Sequence, residues 1–335
     1  MMQTTSRRSF VLAAAAALAA MVAVPLAAHA QAAWPTKPIR LVVPFPPGGA
    51  TDLLARAIAQ RVGASLGQNI VVDNKAGAGG SLGSGEVAKA VPDGHTLLIA
   101  TSSTHAIGPH LNPNLPYKAG GADSDFTPVA QVATATNVVL VPHSLPVNSI
   151  RELIAYAKAR PGQLNYASSG NGTIVQLTAE AFKAQAGLFI THIPYRGTAL
   201  AIPDLVSGKV HLLFDSVVSG MPHVKDGKLK ALAVSGKSRS PLAPELPTVA
   251  ESGLPGFEST TWFGIYGPRG LPADITTKLN AEFNAAMKSA EVQERLARLG
   301  AEPAPANTPA EFAALVAADS ARWAQLIRER RITLD

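Results

Sequence analysis

Short, β-branched apolar runs alternate along this chain with segments whose apolar residues recur every third or fourth position. After Pro38, the runs at 39–45, 69–73, 96–100, 138–141, 164–167, 210–214, 229–234 and 262–266 predict strands. Between the first two, Leu54, Ile58, Val62 and Leu66 stand four apart and predict a helix with one apolar stripe that must pack on a sheet. Strands alternating with helices in this way predict an α/β fold with largely parallel sheets. Two helix starts carry their own chemistry. Ser149-Ile150-Arg151-Glu152 and Thr308-Pro309-Ala310-Glu311 read as capping boxes, the second with Pro at the first helical position. The stretch 272–331 reads as helix interrupted at Gly300 and across 303–309, and is expected to fold back onto the first part of the chain.

Length and composition narrow the class. A chain of 335 residues exceeds what one hydrophobic core usually serves, so two lobes are expected, with boundaries placed near residues 130 and 257. Hydrophobic residues at 47% against 16% charged exclude a disordered chain. The absence of cysteine excludes a disulfide framework, a thiolate nucleophile and a Cys-ligated metal. At the N-terminus, Arg7 and Arg8 precede an apolar run from Phe10 to Leu26, and Ala28-His29-Ala30 supplies a small-x-small cleavage signature. Residues 1–30 are therefore read as a signal peptide directing the protein to the periplasm, and the paired arginines also fit a twin-arginine signal. The net charge is +6, and removing the two charges of Arg7 and Arg8 leaves +4. Lys and Arg are scattered without interleaved aromatics, which argues against nucleic acid as a partner, and the mild positive field favours small anions.

Candidate chemistry concentrates at strand–helix junctions. Pro44-Phe45-Pro46-Pro47-Gly48-Gly49-Ala50-Thr51-Asp52 joins the first strand to the first helix. Two successive glycines let backbone amides approach a guest closely, and the helix start adds unpaired donors at the positive end of its dipole. The bland alternative is an ordinary turn capped by Thr51. Ser168-Ser169-Gly170-Asn171-Gly172-Thr173 has the same construction in the second half of the chain. If each lobe presents one such junction to a shared cleft, a carboxylate is held from both sides. Tyr195-Arg196-Gly197-Thr198 offers a further junction, where Arg196 could equally form only a surface ion pair, and Asp215 could accept from a ligand donor or cap the next helix. The glycine-rich segment 74–83 is expected to line the cleft or pack beneath it.

Enzyme motifs are present only in name. Gly79-Gly80-Ser81-Leu82-Gly83 matches the hydrolase elbow but does not directly follow a strand. Gly83-Ser84-Gly85-Glu86-Val87-Ala88 matches a dinucleotide fingerprint with the same defect, and no P-loop sequence occurs. The histidines are dispersed without metal-ligand spacing, so neither a metal nor a cofactor is expected, and only His105 is placed near the cleft.

Taken in order, Trp34-Pro35-Thr36-Lys37-Pro38-Ile39-Arg40, the loop 44–52, the segment 74–80, Pro92-Asp93-Gly94-His95-Thr96-Leu97-Leu98, Asp125-Phe126-Thr127-Pro128-Val129, the loop 168–173, Pro194-Tyr195-Arg196-Gly197 and Leu246-Pro247-Thr248-Val249-Ala250-Glu251-Ser252-Gly253 resemble the Bug family, the periplasmic substrate-binding proteins of tripartite tricarboxylate transporters. The resemblance covers essentially the whole mature chain. It implies a two-domain, type II-like Venus-flytrap fold with the ligand cleft between the domains, 31–130 plus 258–335 forming the first and 131–257 the second. It also implies a monomer that binds a small carboxylate (a dicarboxylate, amino acid or aromatic carboxylate) without catalysis and hands it to membrane permease subunits. The rival roles are a periplasmic sensor feeding a sensor kinase and an exported serine hydrolase using Ser81. The implied ligand contacts are Phe45, Gly48, Gly49, Ala50, Thr51 and Asp52 from the first loop, acting through backbone amides and ordered water. From the second domain they are Ser169, Gly170, Asn171, Gly172, Thr173, Tyr195, Gly197, Thr198 and Asp215. Two departures stand out: Gln176-Leu177 replaces the family's usual His-Leu pair, and the stretch 118–124 is longer than usual.

Overall fold

The computed structural model describes residues 34–330, 332 and 333; the predicted signal peptide, with its paired arginines, lies outside the described residues. The first half of the described chain runs β1 (Ile39–Val43), α1 (Ala50–Leu66), β2 (Ile70–Asn74), α2 (Ser81–Ala88), β3 (Thr96–Thr101), a π-turn at Ser103–Ile107, α3 (Gly108–Leu111) and β4 (Phe126–Pro142). The order continues with α4 (Ile150–Lys158), β5 (Asn165–Ser168), α5 (Ile174–Ala186), β6 (Thr191–Pro194), α6 (Thr198–Val206), β7 (Leu212–Ser216), α7 (Val217–Lys225) and β8 (Leu229–Val234). It closes with β9 (Thr260–Pro268), α8 (Ala273–Lys288), α9 (Ala290–Leu299), β10 (Glu302–Pro303) and α10 (Pro309–Arg330).

The apolar periodicity builds α1 as expected: Leu54, Ile58, Val62 and Leu66 are all buried, and Gly67 ends the helix in the left-handed conformation. The box at Thr308 forms in full, while at Ser149 only the N-cap half forms, Glu152 Oε2 accepting from Asn148 N instead. Ser149 Oγ accepts from Glu152 N at 3.2 Å, and Thr308 Oγ1 accepts from Glu311 N at 3.2 Å while Glu311 Oε2 accepts from Thr308 N at 2.7 Å.

The sheets are mixed rather than largely parallel. β1 lies between β2 and β3 in parallel, and β5 lies between β6 and β7 in parallel, where helices make the crossovers. β4 and β9 have no such crossover to their neighbours: β9 pairs antiparallel with β3 and with residues 126–136 of β4. From Asn137 onward, β4 leaves β9 and pairs antiparallel with β7 and β8. One long strand thus threads two α/β sheets, giving a two-domain α/β fold. The β5–β7 side has its own core, where Phe182 packs on Phe214 at 5.4 Å and edge-on to Phe257 at 6.2 Å.

The C-terminal helices return to the β3–β9 side, as the helical tail predicted. Phe312 of α10 packs edge-on to Trp262 of β9, and Trp262 Nε1 donates to Asp319 at 2.8 Å. Among the described residues, no helix is long and apolar enough to cross a membrane.

Candidate functional site

A cavity opens at the C-terminal ends of β1, β3, β5, β6 and β7, the edge where open α/β sheets hold their ligands. Its walls come from both sheets. The β1–α1 junction contributes Phe45, Pro46, Gly49, Ala50 and Thr51, and the opposing side contributes Ser169, Ile174, Val175, Gly197, Thr198 and Asp215. The first turns of α1, α5 and α6 therefore face one space.

None of the three N-cap residues caps its own helix through its side chain, although in α5 the first amide, Ile174 N, is taken by Ser103 Oγ from the β3 side. The N-cap of α1 is Gly49, so Thr51 sits inside the first turn and is not the cap. Thr173 is the N-cap of α5, but its hydroxyl turns back to donate to Gly170 O at 2.7 Å. Helix starts left without a capping side chain offer free N–H groups and the positive end of a dipole, a ready-made anion site.

Phe45, Gly49, Ala50, Thr51, Ser169, Gly197, Thr198 and Asp215 thus meet at the cavity, whereas Gly48, Asp52, Gly170, Asn171, Gly172, Thr173 and Tyr195 do not line it. Several of the latter hold its walls in shape. Asp52 accepts from Gly48 N at 2.9 Å, from Arg56 Nε at 3.0 Å and from Asn74 Nδ2 at 3.0 Å. Burial pushes its pKa up, but those hydrogen bonds and the Arg56 charge outweigh burial and hold it below the ordinary carboxylate value. The acid closest in sequence to the anion site is thereby spent on folding the loop. Tyr195 N donates to Ser168 O at 3.1 Å, joining the β6–α6 junction to β5.

Gln176, buried in α5, takes over a structural task. Its Oε1 accepts from Gly172 N at 2.7 Å and its Nε2 contacts His192 Nδ1 at 3.3 Å. Replacing Gln176 by Leu leaves the Gly172 amide without its partner, and we expect a loss of ~1–3 kcal/mol in chemical denaturation. An unchanged midpoint would show that the loop holds itself.

Among the described residues, Asp215 is the one acid on the cavity wall. Its Oδ1 accepts from Ser216 N at 2.9 Å, and its Oδ2 is buried without a hydrogen-bond partner. Ser216, not Asp215, caps α7, accepting from Val218 N at 3.3 Å. Burial drives Asp215 up to about 6, against smaller opposing effects of the Ser219 and Thr198 hydroxyls and the Ser216 amide.

The sequence reading missed Thr101, Ser103, Asn137, Thr261 and Phe263, which also line the cavity. Ser103 Oγ also accepts from Ile174 N at 2.9 Å, tying the β3 side to the start of α5. The two sides touch elsewhere too: a Cβ on Gly79 would stand 2.6 Å from Asn171 O, and one on Gly197 would stand 2.5 Å from Pro46 Cδ. The segment 74–83 thus packs beneath the cavity and meets the opposite loop. The two sides are shut against each other.

The hydrolase and dinucleotide readings find no geometry. Ser81 is the first residue of α2, well past the end of β2, and the 83–88 pattern lies within or at the end of that helix rather than on a phosphate-facing loop. His105 lies behind the cavity rather than on its wall. Among the described residues, no group of His, Asp or Glu could hold a metal ion.

Uncapped helix starts from two α/β sheets around one closed cleft define a solute-binding protein of the two-domain kind. Residues 54–332 match the tripartite tricarboxylate transporter family receptor. BugT of Bordetella pertussis is 39% identical over 92% of this chain and 93% of its own length. A Rhodopseudomonas palustris protein solved with adipate is 39% identical, with a TM-score of 0.86 over 90% of this chain and 99% of that one. MatC of the same organism, solved with bound malate, is 36% identical, with a TM-score of 0.82 over 88% and 100%. The chain belongs to this receptor family, in its Bug branch.

Proposed function

We propose that the protein is an exported periplasmic receptor that closes on a small carboxylate and delivers it to the permease subunits of a tripartite tricarboxylate transporter. The observation that carries this reading is the convergence of the first turns of α1, α5 and α6 on one cavity, with no N-cap side chain folded over any of them. Such an array is selective for negative charge, and the hydroxyls of Thr51, Ser103 and Thr198 add orientation. The binding of adipate and malate by similar proteins supports the same ligand class. Binding alone is the task; the cleft needs no covalent step.

In this reading the leader at 1–30 directs export and is cleaved. Residues 31–130 with 258–335 form one lobe and 131–257 the other. β4 changes partner at Thr136–Asn137, six residues beyond the first of these boundaries, and the second boundary falls just before β9. A few residues at each crossing absorb the rotation as the cleft opens.

Thermal unfolding with malate, adipate, glutamate and benzoate, against glucose and sodium chloride, tests the proposal. At a hundred times its dissociation constant, a true ligand adds ~2.7 kcal/mol to stability and raises the melting temperature by several degrees. Stabilisation by the sugar or the salt alone, with every carboxylate inert, defeats it.

A further inference from the structure

The chain crosses between the two sheets in β4, at Thr136–Asn137, and again where it enters β9, at Ser259–Thr260. At a crossing the backbone leaves one ladder before the next has begun, and its amides and carbonyls must find other partners or stay buried without one. Thr136 still pairs with Thr260 of β9, whereas Val138 already pairs with Val234 of β8. Asn137 falls in the gap between them, and it also lines the ligand cavity.

Ser235, the residue just past β8, fills this gap on both strands. Its N donates to Asn137 O at 2.7 Å, and its Oγ accepts from Asn137 N at 3.1 Å. The same Oγ gives its only hydrogen to Ser259 O at 2.5 Å, while Ser235 O accepts from Ser259 N at 2.8 Å. One residue thus holds both crossings, each through its backbone and through its hydroxyl. Ser259 carries the linkage on to the ligand side. Thr178 Oγ1 donates to Ile174 O at 2.7 Å, so at its 2.6 Å contact with Ser259 Oγ the serine is the donor. Ile174 is the first residue of α5 and lines the cavity. Asn137, Thr178, Ser235 and Ser259 are all buried, where water does not compete for these bonds. The packing around them is tight: a Cβ on Gly236 would stand 2.9 Å from Thr136 Oγ1.

We propose that Ser235 is a positioning residue for ligand capture: it pins the two crossings to each other so that they turn as one axle, and Ser259 gears α5 to that axle. The inference rests on the closing cleft proposed above. Two crossings free of each other would let the lobes twist as well as close, and the two walls would then meet in register for only part of the time. Apparent affinity falls in proportion to that part. The pin suppresses the twist without touching the ligand. Alanine cannot replace it, because without Oγ both Asn137 N and Ser259 O lose a partner.

Spin labels on the pair Val91→Cys and Val206→Cys test this. Both valines are exposed, one in each lobe, and the chain has no cysteine of its own to take a label. Pulsed electron resonance without ligand should give a wider distribution of label distances in Ser235→Ala than in the parent. Calorimetry with malate and adipate should show about tenfold weaker binding, the size of one hydrogen bond, and saturation with the tighter of the two should restore the narrow distribution. Ser259→Ala leaves Thr178 its bond to Ile174 and orphans no atom. It should move both readings the same way, with binding about threefold weaker, and it decides the matter if Ser235→Ala fails to fold. Distances and affinities equal to the parent's, with only a lower melting temperature, would make the hydroxyls purely structural and overturn the proposal. If neither malate nor adipate binds the parent, the carboxylate reading fails separately, and the widths measured without ligand still decide whether the pin exists.

Discussion

Gly197→Ala is expected to cost the protein ~10–100-fold in carboxylate affinity, and removing the Pro46 ring from the opposite wall is expected to return most of it. Two effects act at this position. The backbone has φ of +140°, a conformation that suits glycine and strains any other residue by ~1–3 kcal/mol whether the cleft is open or shut. The added Cβ would also stand 2.5 Å from Pro46 Cδ and 2.6 Å from Cγ, and this overlap exists only when the two walls meet. The first effect lowers stability in both states and leaves affinity nearly alone. The second opposes closure, and since the ligand is held from both walls, it appears directly as lost affinity. In Pro46→Ala the nearest atoms are gone, because only the Cβ remains, 3.7 Å from the new methyl. The pair Gly197→Ala and Pro46→Ala therefore forms a cycle with a large positive coupling in affinity and a small one in unfolding free energy. Calorimetry of the four proteins, with the carboxylate that gives the largest thermal shift, measures both. If the double variant binds no better than Gly197→Ala alone, the two walls do not meet at this point in the bound state.

Which parts of this arrangement could be read from the chain follows from how local each feature is. The β1–α1 junction was legible because everything it needs is contiguous: an apolar strand, two glycines, and an amphipathic helix with its stripe at Leu54, Ile58, Val62 and Leu66. Asp52 was counted among the ligand contacts only through the resemblance to the Bug family. Its actual partners include Asn74, 22 residues away, and only the fold brings that amide to it. Ser103, Asn137 and Thr261 were out of reach altogether, since each sits beside other small polar residues on or next to a strand and becomes a wall only through the pairing of β3, β9 and β4. The first two-thirds of β4 escaped notice for a related reason. Its register shifts between Pro128 and Ala130 and again between Gln131 and Ala133, and irregularities of this kind break the alternation by which a strand is recognised. The resemblance to the Bug family supplied the two-domain plan that strand periodicity alone did not, while the pattern of the sheets had to come from the coordinates.

Asp215 gives the second large effect, and its sign can be worked out. An aspartate in the unfolded chain titrates near 3.9. In the shut structure burial raises Asp215 to about 6, so between these values the folded state binds a proton that the unfolded state has lost. Stability then falls as pH rises through this window. The contribution is fully present below pH ~4 and is lost above pH ~6, a change of ~3 kcal/mol for a group this deeply buried. Asp215→Asn stays neutral at every pH and keeps an oxygen to accept from Ser216 N. The variant is expected to show no slope from this site and, without ligand at pH 7, to melt roughly 5 °C above the parent. Denaturation of both proteins at intervals from pH 4 to pH 7 checks it, and parallel curves would mean that Oδ2 finds solvent or a donor. The same proton bears on the guest. A ligand that brings only carboxylate oxygens to Oδ2 needs Asp215 protonated, so its affinity should rise as pH falls through 6. One that brings a hydroxyl or ammonium donor meets an ionised acceptor and should weaken as pH falls. In Asp215→Asn both dependences should flatten, so the slope in the parent protein shows which chemical end of the ligand faces β7.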